Sequence, residues 1–198
     1  MSDLRISVLV SGGGTDLQSI IDAVESGALP RVKICQVIAS RPDAFALERA
    51  AKHGIKSKVL SKKNFDNQEQ LMDALTNMLE EENTGLVVLA GYLQILSGKV
   101  LETFGGRIIN IHPSLLPKYG GKDCYGMKVH RQVIAAGDKE SGATVHYVDE
   151  GIDSGQIILQ RRVPVLPGDS AEDLQQRVLQ LEHEMLPQAI GIIEEARS

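Results

Sequence analysis

The sequence has no tryptophan, few aromatic residues and only two cysteines, and each shortage removes a class of function. Aromatics make up 4% of its 198 residues, too few for the stacking platforms that hold single-stranded nucleic acid. Cys35 and Cys124 form neither a CxxC pair nor a metal-ligand spacing, so no metal site is expected and a reduced protein is the simpler reading. Positive charge is also short: 21 Lys and Arg stand against 26 Asp and Glu, a formal net charge of -5. Such a balance gives no general attraction to nucleic acid or to an anionic membrane. No apolar run approaches the roughly 20 residues of a membrane span, and Met1 leads straight into a strand-like segment without a basic and apolar leader. The expectation is a cytoplasmic protein acting on small molecules, as a monomer or homodimer.

Hydrophobic residues make up 42% and charged residues 24%, enough apolar material for one sizeable core. With no repeat or linker to divide it, residues 1–198 read as a single domain. Short β-branched runs alternate with amphipathic stretches. Leu4 to Val10, Val32 to Ala39, Ser57 to Leu60, Leu86 to Ala90 and Ile108 to Ile111 read as strands. Between them, Thr15 or Asp16 to about Ser26, Ala44 to His53 and Asn67 to Glu82 read as helices. Further on come a helix near Lys128 to Ala136, strands Ala143 to Val148 and Gln156 to Val163, and a closing helix from Ala171 to Ala196. This order predicts an α/β fold: a mostly parallel sheet of about seven strands with helices on both faces. Open sheets of this kind bind ligands at the carboxyl ends of their strands.

After the first strand comes Ser11-Gly12-Gly13-Gly14-Thr15-Asp16. Glycines there let the backbone turn sharply and approach a ligand, and a helix start offers free N–H groups to a phosphate. Leu17 takes the last position of a GxGxxG, and no Gly-Lys-Ser/Thr follows, so a mononucleotide or sugar phosphate fits better than a dinucleotide. The alternative is a tight turn with no ligand. The Asp16 carboxylate would repel a phosphate unless it points away to cap the helix.

Asn110-Ile111-His112-Pro113-Ser114-Leu115-Leu116-Pro117 is the most informative stretch. Residues two apart on a strand face one side, so Asn110 and His112 can share a cavity while Ile111 packs inward. An amide donor beside an imidazole suits acyl-type chemistry. Taken alone, the pair reads equally well as two side chains satisfying backbone groups at a strand end.

The Asn110 to Pro117 stretch resembles the signature of the folate-dependent formyltransferases. So does His146-Tyr147-Val148-Asp149-Glu150-Gly151-Ile152-Asp153-Ser154-Gly155-Gln156. The glycine turn, and Ala90-Gly91-Tyr92-Leu93-Gln94-Ile95-Leu96, are similar to the same family's phosphate and folate loops. The likeness covers essentially the whole chain and implies a Rossmann-like formyltransferase fold. It divides the chain into an N-terminal half that holds phosphate and ribonucleotide and a C-terminal half that holds folate and the catalytic loop.

The activity implied is transfer of a formyl group from 10-formyltetrahydrofolate, as co-substrate, to the amine of 5-phosphoribosylglycinamide in purine synthesis. The resemblance makes Asn110, His112 and Asp153 catalytic, with Asp153 beside His112 favouring its charged form. Asp149 and Glu150 are then left as a solvated acidic loop. It assigns Gly14, Thr15, Asp16 and Glu182 to the ribonucleotide, although Glu182 and His183 also read as a solvated helix face. It assigns Gln68, Leu93, Gln94, Ile95, Leu96 and Asn110 to folate. Gln68 and Gln94 stand where relatives often carry Arg, with Lys62 and Lys63 as possible replacements for the lost charge. His130 and His146 read as supporting groups, Cys124 as a loop thiol. The rivals are a methionyl-tRNA formyltransferase, a formyltetrahydrofolate hydrolase, and a non-catalytic sugar-phosphate sensor on the same fold.

Overall fold

A computed structural model describes residues 3–197. Seven strands form one sheet: β1 Leu4–Val10, β2 Val32–Ala39, β3 Ser57–Val59, β4 Leu86–Leu89, β5 Ile108–His112, β6 Glu140–Tyr147 and β7 Ile157–Pro164. The helices are α1 Thr15–Glu25, α2 Ala46–Lys52, α3 Gln68–Glu81, α4 Lys99–Phe104, α5 Met127–Ala136 and α6 Ala171–Glu195. Strand order is β3-β2-β1-β4-β5-β6-β7. The first five strands run parallel; β6 and β7 are antiparallel additions. The expected mostly parallel α/β sheet is therefore present, and among the described residues no helix is long and apolar enough to cross a membrane.

Strand alternation divides the core between two faces. Ile6, Val8 and Val10 pack with Leu17, Ile20 and Val178 under α1 and α6. Leu9 and Val87 face the other way, onto Leu71, Leu75 and Phe104 of α3 and α4. Helices cover both faces, so the parallel strands are mainly apolar, interrupted in β1 by Arg5 and Ser7 and in β2 by Lys33 and Gln36.

The sheet changes direction between β1 and β4: the chain builds outward through β2 and β3, then returns to the other side of β1. A crevice opens outside the strand ends at such a reversal. Ser11, at the end of β1, ties it together. Its Oγ accepts from Ser40 Oγ at 2.7 Å and from Leu93 N–H at 2.9 Å, joining the ends of β1, β2 and β4.

Local detail departs from expectation in three places. Neither Thr15 nor Asp16 caps α1; the N-cap is Gly14, with φ +70 and no side-chain cap. A Cβ on Gly14 would lie 2.6 Å from Ala46 Cβ, so the turn and α2 approach too closely for a side chain. The helix expected from Ala44 is shorter, Ala46–Lys52. The short α4 went unanticipated. Two helices carry side-chain caps: on α3, Asn67 Oδ1 accepts from Gln70 N–H, and on α6, Ser170 with Asp173 forms a capping box.

Candidate active site

A cleft of about 450 Å³ lies along the carboxyl ends of β4 and β5, walled by the loop after β4 and the loops 121–126 and 149–153. Asn110 and His112 both line it from β5, as spacing two on a strand requires. Ile111 is 5% exposed and joins the core.

Asp153 comes from the loop after β6 and reaches both histidines of the site. Its Oδ2 is 3.5 Å from His112 Nδ1 and its Oδ1 3.6 Å from His146 Nε2. Gly121 N–H donates to Oδ2 at 3.0 Å. The Asp153 backbone is left-handed, φ +55, a conformation uncommon outside glycine and seen where a site over-determines it. Burial pushes the Asp153 pKa up, but the neighbouring His146 and His112 and the Gly121 N–H outweigh it, leaving the carboxyl below its ordinary value. Asp149 is exposed and accepts from Gly151 N–H and Ser154 Oγ, ordering its own loop and touching neither histidine.

His112 is 4% exposed. Its Nε2 donates to Tyr119 O at 2.8 Å, since a carbonyl can only accept. Nδ1 is thereby the nitrogen that faces Asp153. Burial lowers the His112 pKa; Asp153 and the Tyr119 carbonyl pull it back without restoring it. Asp153 thus favours the charged imidazole, as expected, while desolvation works against it and leaves the His112 pKa below its ordinary value.

His146 orients Asn110. Its Nδ1–H donates to Tyr147 O at 2.8 Å, leaving Nε2 to accept from Asn110 Nδ2 at 3.2 Å. That bond sets the amide, with its second N–H left to donate elsewhere. His130 is buried on α5; burial and the His112 charge push its pKa down to about 4, so it stays neutral. Among the described residues no group of three His, Cys, Asp or Glu side chains is gathered to hold a metal ion.

The loop after β4 carries Leu93 (61% exposed) and Ile95 (60%) at the cleft wall, with Leu96 buried behind them. Tyr92 OH donates to Gln94 Oε1 at 3.1 Å. Gln68 does not line the cleft; its Nε2 donates to Ile95 O at 2.9 Å and holds the loop from α3. Lys62 and Lys63 are exposed and also lie outside the lining, whereas Lys122, from the Gly-rich loop, is in it. Cys124 is a free thiol in the same wall.

Gly14, Thr15 and Asp16 lie at the neighbouring strand end, joined to the cleft loop through Ser11. Asp16 turns toward α6, where its Oδ1 is 3.8 Å from His183 Nε2; neither atom has a hydrogen-bond partner among the described residues. Burial pushes the Asp16 pKa up to about 6. Glu182 is 8% exposed, and burial together with the Asp16 charge raises its pKa well above the ordinary value. The solvated face allowed for Glu182 is thus corrected: the α1–α6 contact closes over it. Sequence reasoning also missed Arg49. Its Nε donates to Gly13 O at 2.8 Å, its Nη1 to Gln18 Oε1 at 3.2 Å, and its guanidinium lies 5.2 Å from the Phe45 ring centroid. A basic residue on the helix after the next strand gives no sequence signal of reaching the turn.

Comparison with known proteins places the chain in a family. The family described as Formyl transferase matches residues 4–190. A phosphoribosylglycinamide formyltransferase of Haemophilus influenzae is 45% identical over 98% of this chain and 88% of its own length. The trifunctional purine biosynthetic protein adenosine-3 of Drosophila pseudoobscura is 45% identical over 96% of this chain, which spans 14% of that larger protein. The crystal structure of glycinamide ribonucleotide transformylase 1 from Symbiobacterium toebii superposes with a TM-score of 0.93 at 41% identity, over 98% of this chain and 89% of that one. With the family match over residues 4–190 and the fold and nearly the whole length in common, this chain belongs to the formyl transferase family.

Proposed function

We propose that this enzyme transfers the formyl group of 10-formyltetrahydrofolate to the amine of 5-phosphoribosylglycinamide. The observation that carries the reading is the meeting of Asn110, His112 and Asp153, from two elements, at one cleft beside a glycine turn. The pterin lies along Leu93, Gln94, Ile95 and Leu96, and the ribonucleotide phosphate sits on the N–H groups of Gly14, Thr15 and Asp16.

The amine attacks the formyl carbon and the carbonyl oxygen becomes an oxyanion. The free Asn110 amide N–H donates to it. His112 Nδ1 takes up the proton that the attacking amine sheds, and Asp153 stabilises the imidazolium so formed. The imidazolium then gives that proton to the leaving folate nitrogen. Collapse of the intermediate gives the formamide and tetrahydrofolate. Holding two substrates together in one cleft supplies much of the rate.

The test is to mix the protein with 5-phosphoribosylglycinamide and a formyl folate and follow the folate absorbance, with the formylated product identified by mass. Turnover supports the reading. Binding of either compound without turnover points instead to a sensor.

A further inference from the structure

Tyr119 has a left-handed backbone, φ +56, a conformation unfavourable for a non-glycine residue. Its side chain is anchored accordingly. The phenol donates to Asp138 Oδ2 at 2.7 Å, and the same oxygen accepts from Lys118 Nζ at 2.6 Å. The Lys118 ammonium also lies 5.2 Å from the Tyr119 ring centroid. Asp138 follows Gly137, the left-handed C-cap of α5. At the other end of Tyr119, the carbonyl accepts from His112 Nε2. An unbroken line of bonds therefore runs from the end of α5, through Asp138 and Tyr119, to the imidazole. Neither Tyr119 nor Asp138 lines the cleft; both line a second hollow of about 290 Å³.

We propose that Tyr119 and Asp138 are positioning residues that set the tautomer and the ring angle of His112 from outside the cleft. Their physical effect is definite. A carbonyl held in place requires a proton on Nε2, and only then does Nδ1 remain as the nitrogen that gains and loses a proton opposite Asp153. If the carbonyl drifts, the two neutral tautomers compete and part of the population presents the wrong nitrogen. The groups facing His112 are Asp153 from the loop after β6, His146 from β6, His130 from α5 and the Tyr119 carbonyl; those facing the Tyr119 side chain are Lys118 and Asp138. Of the groups facing His112, the Tyr119 carbonyl is the one that touches Nε2. This inference rests on the role given to His112 under the proposed function, but the tautomer can be measured without turnover.

The test uses the full chain with 15N-labelled histidine, in the wild type and in Tyr119→Phe, Asp138→Ala and Asp138→Asn. In the wild type the His112 nitrogen shifts report a protonated Nε2. Tyr119→Phe and Asp138→Ala mix the tautomers and lower kcat roughly tenfold or more with both KM values unchanged. The pH limb belonging to His112 moves to lower pH, because the carbonyl acceptor supports the charged ring. Asp138→Asn stays close to wild type, since its amide oxygen still accepts from the phenol. His112 remaining wholly Nε2-protonated in both disrupted variants would overturn the proposal, as would an unchanged pH profile or an Asp138→Asn as impaired as Asp138→Ala. Should Asp138→Ala not fold, Tyr119→Phe decides, since it removes one oxygen from a half-buried ring. A loosened tautomer in a protein with no formyl transfer would sink the proposed function and leave this inference standing.

Discussion

Asp153 brings one carboxylate oxygen to 3.5 Å from His112 Nδ1. Asp149, four residues earlier, spends its carboxylate on Gly151 and Ser154. Asp153→Asn should therefore lose roughly 100-fold or more in kcat, within the usual range for an acid–base group. Asp149→Asn should stay within a few-fold of wild type. Steady-state kinetics of the two variants check this, and a severe loss confined to Asp149→Asn would mean that the wrong carboxylate has been given the role.

The same contact sets the charge of His112. Burial depresses its pKa and the Asp153 charge opposes that. Followed by NMR in the free protein, His112 should titrate below the ordinary value of about 6.5, and lower still in Asp153→Asn. A His112 pKa that rises on removing the carboxylate would contradict the electrostatic account.

Asp16 leads to a prediction about stability. Its folded pKa is about 6 against an ordinary 3.8, so folding favours the protonated form. The stability it contributes is complete below pH 4 and is lost as pH rises through 6. Asp16→Asn removes that loss. It should unfold at a higher denaturant midpoint than wild type at pH 7.5, by on the order of 1–3 kcal/mol, with the gap closing toward pH 4. Urea titrations at the two pH values measure it, and a gap that widens in acid would contradict the assignment.

Two glycines of one turn should behave differently. At Gly14 a methyl meets Ala46 at 2.6 Å on a backbone with φ +70. Gly14→Ala should cost about 2–4 kcal/mol, from left-handed strain and overpacking together. At Gly13 nothing lies within 4 Å of the added carbon. Gly13→Ala should change stability by less than about 1 kcal/mol. Equal losses, read by chemical denaturation, would count against the close packing of turn and α2.

Much of this was legible in the sequence because its signals are local. The mainly apolar runs of β1 and β2 match their strands residue for residue, since helices cover both faces of the parallel sheet and few polar residues interrupt it. Spacing two brought Asn110 and His112 to one wall. The six residues of α4 are too few to show a helical period, so that element stayed hidden. The cap of α1 was misread because Gly14 was required by Ala46, a contact across 32 positions that no local rule contains.

By itself, then, the order of residues determined the strands, the long helices and the side chains equipped for acyl chemistry, because propensity, periodicity and chemical type are properties of neighbours along the chain. Tertiary structure alone decided that burial works against the charge on His112, that Glu182 is closed under α1, and that Asp138 reaches the site through Tyr119. Those are matters of distance and desolvation, and both come into being only when remote segments pack and water leaves.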